Sequence, residues 1–349
     1  AAAFGTTVDP GATVVLARDT RPSGANFAQV AAKALSQTGC RVVDLGQCST
    51  PGAKLLVTQL DAQGAIVITA SHNPAPWNGL KLVRADGIFL NAEEGQRVEI
   101  LFHSGEFRQA QGGSIATLDP AEVKARHLQQ ILSHVDAEAI RQARFKVAVD
   151  PCNGAGALLL PDLLAALNVE STLINAEPDG DFAHEPEPVP ANLLQLGQAV
   201  RDNGCAIGFA IDPDADRVTL VGSDGEALGE DMTLAIAVQA VTARNPGPVV
   251  TTLSSSQAIS DAATRNNCPV FLTAVGEVNV VEKMIEAVRD PRTHRYSASR
   301  GIPGLRRANA AYYGRRFGVG IDPETETIVT LGSKEGIASL AQAIASPGD

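Results

Sequence analysis

The sequence has little that would tie it to a membrane, a nucleic acid or a disulfide scaffold. Its 349 residues hold no run of 18 consecutive apolar side chains, so no membrane-spanning helix is expected. Ala1 to Gly11 has no basic stretch followed by an apolar one, and no signal peptide is expected. Positive charge is scarce. The 28 Lys and Arg face 39 Asp and Glu, a net of −11, which argues against nucleic acid and anionic membrane as main partners. The five cysteines (Cys40, Cys48, Cys152, Cys205, Cys268) are odd in number and form no C-x-x-C pair. Neither a zinc ribbon nor a disulfide framework is indicated, and buried, reduced thiols in a cytoplasmic protein are expected. No Gly-x-Ser-x-Gly elbow occurs, which disfavours acyl transfer. His103, His127, His134 and His184 are scattered without metal-ligand spacing and read as surface or turn residues.

What is present is a chain with 44% apolar residues, too many for disorder, and long enough for two or three domains with cores of their own. Strand, loop and helix patterns alternate. Ala12 to Ala17, Arg41 to Leu45 and Gly64 to Ala70 read as strands, with a helix over Phe27 to Thr38 ended by Gly39. Phe145 to Asp150 opens a second unit, followed by a Gly-containing turn and a helix over Leu158 to Leu167. Cys205 to Ile211 and Val218 to Val221 are strands, and Val249 to Leu253 with a helix over Gln257 to Arg265 opens a third. Leu118 to Gln142 carries helical periodicity and links the first unit to the second. This alternation predicts a multi-domain α/β fold with mixed or parallel sheets sandwiched by helices. No internal repeat of 20–50 residues is visible.

Two loops carry chemistry. Thr69-Ala70-Ser71-His72-Asn73-Pro74 follows an apolar strand directly, where α/β proteins place ligands. The same residues also make an ordinary strand-ending turn. A serine hydroxyl there can carry a phosphoryl group if cations neutralise it, and His72, Lys81, Arg18 and Arg21 are the candidates. Asp212-Pro-Asp214-Ala-Asp216-Arg217 lies between two apolar strands. In extended backbone the three carboxylates would share a face and repel unless a cation lay between them. Mg²⁺ or Ca²⁺ would fill such a site. The spacing does not make an EF-hand, which would need Gly in place of Arg217 and Glu in place of Ser223. Arg217 is a phosphate partner, not a metal ligand. A phosphate on Ser71 could complete a Mg²⁺ shell, so each loop explains the other.

TASHNP (69–74), NGLK (78–81) and DPDADR (212–217), with ARDTRPSG (17–24), HEPEPVPANL (184–193) and TAVGEVNVVEKM (273–284), resemble the α-D-phosphohexomutases, the group of phosphomannomutase, phosphoglucomutase and phosphoglucosamine mutase. The resemblance runs over about residues 4–287. It implies domain I over 1–143 with the phosphoserine loop, domain II over 144–247 with the metal loop, and the start of domain III over 248–287. It implies that Ser71 gives and takes the phosphoryl group, and that Asp212, Asp214 and Asp216 bind Mg²⁺ with the phosphate on Ser71. His72 and Arg217 would support that phosphate, with Lys81 as acid/base. Arg18, Arg21, Ser23 and Asn73 would bind substrate or phosphate. The implied reaction interconverts hexose or hexosamine 6- and 1-phosphates through a bisphosphate, with a hexose bisphosphate as activator. The sequence departs from the family in its short N-terminal Phe4-Gly5-Thr6 segment and in lacking a sugar-selecting Gly-Glu-x-Asn/Ser-Gly loop after Glu286 and a fourth-domain phosphate clamp. A catalytically impaired remnant that still binds Mg²⁺ and sugar phosphate is the alternative.

From Val288 the character changes: nine Lys and Arg meet six Asp and Glu, whereas the preceding residues hold 19 against 33. Residues 294–319 and 322–349 resemble the early part of a class I/II PLP-dependent aminotransferase, in which Gly332, Ser333 and Lys334 would lie by the cofactor phosphate at a helix N-terminus. The Schiff-base lysine and the pyridine-binding aspartate do not follow, so no transaminase is expected from this segment. Trp77 reads as a packing residue or loop anchor, and the Arg-rich stretch Arg289 to Arg316 as a solvated helix face.

Overall fold

A computed structural model describes residues 1–289, 303–327 and 329. The chain divides into two compact units, Ala1–Ile285 and Glu286–Asp349. The first opens with a five-stranded sheet made of β1 (Thr13–Arg18), β2 (Arg41–Gln47), β3 (Gly64–Ile68), β4 (Leu80–Arg84) and β5 (Ser114–Thr117). Its order is β4-β3-β1-β2-β5, with only β4 antiparallel to its neighbour. Val14 to Ala17 in β1 and Ala65 to Ile68 in β3 are fully buried. Such unbroken apolar strands require cover on both faces. Alternation along the strand divides the core in two. Val14, Leu16, Ile66 and Ile68 pack with Phe4 and Leu35 on one face; Val15, Ala17 and Val67 pack with Leu45, Ala53 and Leu56 on the other. Each fully buried Leu or Ile contributes roughly 1.5–3 kcal/mol.

A second sheet follows, made of β6 (Lys146–Asp150), β7 (Glu170–Leu173), β8 (Ile207–Ile211) and β9 (Val218–Val221). Its order is β7-β6-β8-β9, and only β9 is antiparallel. Read from the antiparallel edge, β9-β8-β6-β7 repeats β4-β3-β1-β2 strand for strand. The repeat missing from the sequence is thus present in the topology. The ends of the first strands match as well. Asp19 Oδ1 accepts from Arg21 N at 2.9 Å, and Asp150 Oδ1 accepts from Cys152 N at 2.9 Å, two Asx turns that re-aim the chain after the strand. A parallel pair, β10 (Val249–Thr252) with β11 (Val270–Thr273), begins a third such unit around the helix Gln257–Arg265.

Two readings of local structure are corrected. The run Leu118 to Gln142 is two helices, Pro120–His134 and Ala137–Ala143, because Val135 turns extended and Asp136 caps a new start by accepting from Ala139 N. The strand Gly64 to Ala70 ends at Ile68, where Thr69 leaves the ladder and its N–H donates to Gly79 O. In the second unit the described helix is Pro303–Phe317. Tyr312, Tyr313 and Phe317 cluster with ring centroids 5.4–6.1 Å apart. Gly332, Ser333 and Lys334 lie outside the described residues.

Candidate active site

The serine loop joins β3 to β4, and the acidic loop joins β8 to β9. They occupy the same place in the repeated topology and meet each other. Ser71 is 8% exposed, and its Oγ donates to Asp212 Oδ2 at 2.9 Å. His72 Nδ1 lies 3.4 Å from the same Oγ. Lys81 projects from β4 onto the acidic loop, with its Nζ 2.7 Å from Asp214 Oδ2 and 2.6 Å from Asp216 Oδ2. Asp212, Asp214 and Asp216 offer one oxygen each within 4.8 Å of one another.

The convergence expected from extended backbone is there, but the loop is not extended. It is a turn in which Ala215 takes a left-handed φ of +57°. Asp212 Oδ1 accepts from the N–H groups of Asp216 and Arg217 at 3.1 and 3.0 Å, folding the loop over its own first carboxylate. Two outside contacts hold the turn. Ala155 N donates to Pro213 O at 2.7 Å, with Gly154 so close that a Cβ would stand 2.5 Å from Pro213 Cα. Thr50 N donates to Asp214 O at 2.9 Å, and the Thr50 hydroxyl donates to the Asp214 carboxylate. Thr50 opens the helix Thr50–Gln59, so the positive end of that helix faces the acidic loop.

The electrostatics of the acidic loop are unbalanced. Burial, reinforced by the Asp214 and Asp216 charges, pushes the Asp212 carboxyl up to about 8. Burial opposes ionisation of Asp214 too, but the Lys81 ammonium and the Thr50 and Lys81 hydrogen bonds prevail and hold it below the usual carboxylate range. Burial also works against the Lys81 charge, and the Asp214 and Asp216 carboxylates outweigh it, raising that amine above an ordinary lysine. Among the described residues Asp214 Oδ1 is buried with no hydrogen-bond partner. Three converging carboxylates, one with an unsatisfied buried oxygen, fit a hard cation such as Mg²⁺.

The remaining expected residues fall into two groups. Asn73 and Ser23 sit at the serine loop: Asn73 Nδ2 donates to Ala70 O at 2.8 Å, and Ser23 Oγ accepts from Asn78 Nδ2 at 3.0 Å. Among the described residues neither the Arg18 nor the Arg217 side chain makes a hydrogen bond to Ser71. Arg18 lines a cavity of about 480 Å³ with Cys48, Lys124 and His127, and Arg217 lines one of about 300 Å³ with Ser49, His127 and Leu163. Arg21 is a correction. Expected as a phosphate contact, it is fully buried, with all five guanidinium N–H groups committed to protein oxygens. Trp77 anchors the loop through its main-chain carbonyl, while its ring is 65% exposed.

Three residues that hold the site in place, Asp19, Thr50 and Thr69, were not singled out from the sequence. Asp19 stands inside the ARDTRPSG stretch, and Thr50 after Ser49, a helix-start signal. His184, half-buried at a bend, puts its Nε2 3.0 Å from buried Asp150 Oδ2. Donating a hydrogen bond to the Asp150 carboxylate raises the imidazole to about 11. All five cysteines are free and buried.

The chain has counterparts among known proteins. Residues 1–109, 125–225 and 229–289 match, in order, the alpha/beta/alpha domains I, II and III of the phosphoglucomutase/phosphomannomutase family. A phosphoglucomutase/phosphomannomutase of Thermococcus kodakarensis is 38% identical over 275 residues, 78% of this chain and 60% of that protein. A phosphoglucosamine/phosphogalactosamine mutase of Sulfurisphaera tokodaii is 33% identical over 290 residues, 81% of this chain and 64% of that protein. The crystal structure of a putative phosphomannomutase from Thermus thermophilus superposes with a TM-score of 0.74 at 28% identity, covering 81% of this chain and 66% of that one. The three domain matches support the phosphohexomutase family for residues 1–289. The chain spans about 60% of the length of the first curated relative. Nothing in these comparisons supports the aminotransferase resemblance of residues 288–349.

Proposed function

We propose that this chain carries the phosphoryl-transfer centre of a phosphohexomutase acting on hexose or hexosamine phosphates. The observation that carries the reading is the Ser71 hydroxyl hydrogen-bonded at 2.9 Å to the first of three clustered aspartates. Asp212, Asp214 and Asp216 would hold Mg²⁺ beside Ser71, and the ion, when bound, supplies positive charge for a phosphoryl group on that serine. Ser71 then gives the phosphoryl group to a sugar hydroxyl: the Ser71 Oγ–phosphorus bond breaks as the sugar oxygen–phosphorus bond forms. The returning half-reaction restores the phosphoserine from the other phosphate of the bisphosphate. His72, half-buried and 3.4 Å from Oγ, stands where it can hydrogen-bond the transferring group. Lys81, charged at neutral pH, would give a proton to the oxygen that loses phosphate and recover the one released by the sugar hydroxyl. Arg217 would reach the phosphate by moving its exposed side chain.

A second reading, favoured by the absence of a Gly-Glu-x-Asn/Ser-Gly sequence between Glu286 and Asp349, is that Ser71 accepts phosphate without completing turnover. One experiment separates the two. The protein is incubated with glucose 1,6-bisphosphate and Mg²⁺, and Ser71 phosphorylation is followed by mass spectrometry beside isomerisation of glucose 1-phosphate. Phosphorylation with isomerisation supports the mutase, and phosphorylation alone the remnant. A wild-type protein that behaves like Ser71→Ala in the phosphorylation assay would sink both.

A further inference from the structure

The fully buried Arg21 makes no hydrogen bond to the acidic loop, yet among the described residues its side chain makes four to the serine loop. Its Nη2 donates to Ser71 O and Asn73 O, both at 2.7 Å; its Nη1 donates to Pro74 O at 2.9 Å and Trp77 O at 3.0 Å. The fifth donor, Nε, goes to Asp19 Oδ2 at 3.0 Å. Four of the five therefore end on main-chain carbonyls of one seven-residue stretch, 71–77. Burying a guanidinium costs desolvation that hydrogen bonds must offset, and here the offset comes from a loop with no regular secondary structure of its own.

Ser71 shows what the loop is being held to. Its φ is +51°, the left-handed region that residues with a Cβ avoid. Such backbone persists only where its surroundings over-determine it, and it collects at functional sites. Both peptide groups of Ser71 trace back to one ion pair. Its carbonyl accepts from Arg21, and its N–H donates to Thr69 Oγ1 at 2.9 Å, whose hydroxyl donates to Asp19 Oδ2 at 2.6 Å. Asp19 and Arg21 thus fix Ser71 from either side. The Phe182 ring lies 4.9 Å from Arg21 Cζ, a cation–π contact that reaches the brace from beyond the second sheet's first strand. Next to it Thr20 Oγ1 donates to Asn153 O at 2.9 Å. Gly180 comes so close to Thr20 O that a Cβ would stand 2.3 Å away.

We propose that Arg21 is a positioning residue for phosphoryl transfer: it holds Ser71 in the left-handed conformation that aims Oγ at Asp212, and Phe182 backs the guanidinium from the domain that carries the acidic loop. The proposal rests on Ser71 being the phosphoryl carrier, and its test is built so that the two can fail apart. Arg21→Lys, Arg21→Ala and Phe182→Leu are each compared with wild type for Ser71 phosphorylation by glucose 1,6-bisphosphate, for Mg²⁺ binding by calorimetry, and for Ser71 backbone conformation by crystallography. Arg21→Lys should slow phosphorylation on the order of a hundredfold, the scale of a reacting atom misplaced by about 1 Å, with Mg²⁺ affinity unchanged. Free guanidinium should restore part of the rate to Arg21→Ala and none to Phe182→Leu, which should be slowed less. In Arg21→Lys crystals Ser71 should leave positive φ. Wild-type rates in Arg21→Lys, or Mg²⁺ binding and phosphorylation lost together, would overturn the positioning role. If wild-type protein takes no phosphate, the carrier reading falls, and an unchanged Ser71 φ in Arg21→Lys would then overturn the brace on its own.

Discussion

The serine loop and the acidic loop stand at the same position of two topologically equivalent sheets, yet they are balanced in opposite ways. Each follows an inner parallel strand and precedes the antiparallel edge strand. Each contains one left-handed residue with a side chain, Ser71 or Ala215. The serine loop is closed: its carbonyls are taken by Arg21, and Arg21 by Asp19 and Phe182. The acidic loop is open: three carboxylates crowd within 4.8 Å, and Asp214 Oδ1 is buried without a partner among the described residues. A loop that must hold a reacting oxygen gains from having no spare donors. A loop that must receive a cation has to keep acceptors unsatisfied until the cation arrives. On the proposed reading, one scaffold position would thus serve two purposes through the sign of the charge left over.

The strongest test of this contrast compares two fully buried aspartates. Asp19 belongs to the closed loop and Asp212 to the open one. Burial raises the Asp19 carboxyl even though Thr69 and Arg21 stabilise its charge, so the pair is not a net source of stability. Removing one partner is worse, because it leaves the Arg21 guanidinium buried and uncompensated. Asp19→Asn should destabilise the protein by about 3 kcal/mol, with or without Mg²⁺, by urea unfolding. A loss below about 1 kcal/mol would mean that Arg21 finds another counter-charge and that the serine loop is less closed than its hydrogen bonds imply.

How much of this could be read in the sequence depends on what each feature needs. The strands were legible because a doubly covered strand is a run of apolar residues. Val218–Val221 was located to the residue, and β1, β3 and β8 to within one or two. The pairing of Ser71 with the acidic loop was legible because three aspartates and an isolated serine pose a charge problem that each solves for the other. The repetition of the sheets was not, since order and direction of pairing demand only apolar strands and leave little in common beyond the strand-end aspartates Asp19 and Asp150. Arg21 was misread because an arginine beside a phosphate site and an arginine holding main-chain carbonyls look alike until all five donors are traced. His184 was passed over because its partner, Asp150, lies at a strand end 34 residues away. The carboxylate convergence was anticipated from extended backbone and is reached through a turn instead. The same outcome came from different φ angles, since the backbone N–H groups of Asp216 and Arg217 fold onto Asp212.

The second test acts on the open loop through pH. The Asp212 carboxyl is raised to about 8, above its unfolded value near 4. A carboxyl raised in the folded state favours folding in its protonated form. It should therefore cost nothing below about pH 4 and remove stability progressively as pH rises from about 4 through about 8. Metal-free wild type should lose stability relative to Asp212→Asn over that window. Above pH 8 the variant should be the more stable by up to roughly 5 kcal/mol, the equivalent of a shift of about four pKa units. Mg²⁺ should lift the wild type and leave the variant behind. Parallel pH profiles for the two proteins, without metal, would show that the loop relieves its own repulsion and has no need of a cation.

The smallest expected difference lies in two threonines that reach from the first sheet's loops to the second's. Thr20 donates to a neutral carbonyl, Asn153 O at 2.9 Å, on the closed side; Thr50 donates to the Asp214 carboxylate on the open side. Asn153 O also receives Gly180 N at 3.2 Å, so Thr20→Val leaves that carbonyl satisfied and should cost only about 1 kcal/mol, independent of Mg²⁺. Thr50→Val withdraws a donor from a buried charge and should cost about 2 kcal/mol without metal. Mg²⁺ bound to Asp214 would supply the missing positive field and shrink that loss towards the Thr20→Val value. Calorimetric unfolding of both variants, with and without Mg²⁺, reads the difference directly. Equal losses that do not respond to the metal would mean that the acidic loop is held by its own turn, and that the contrast between the loops ends at their side chains.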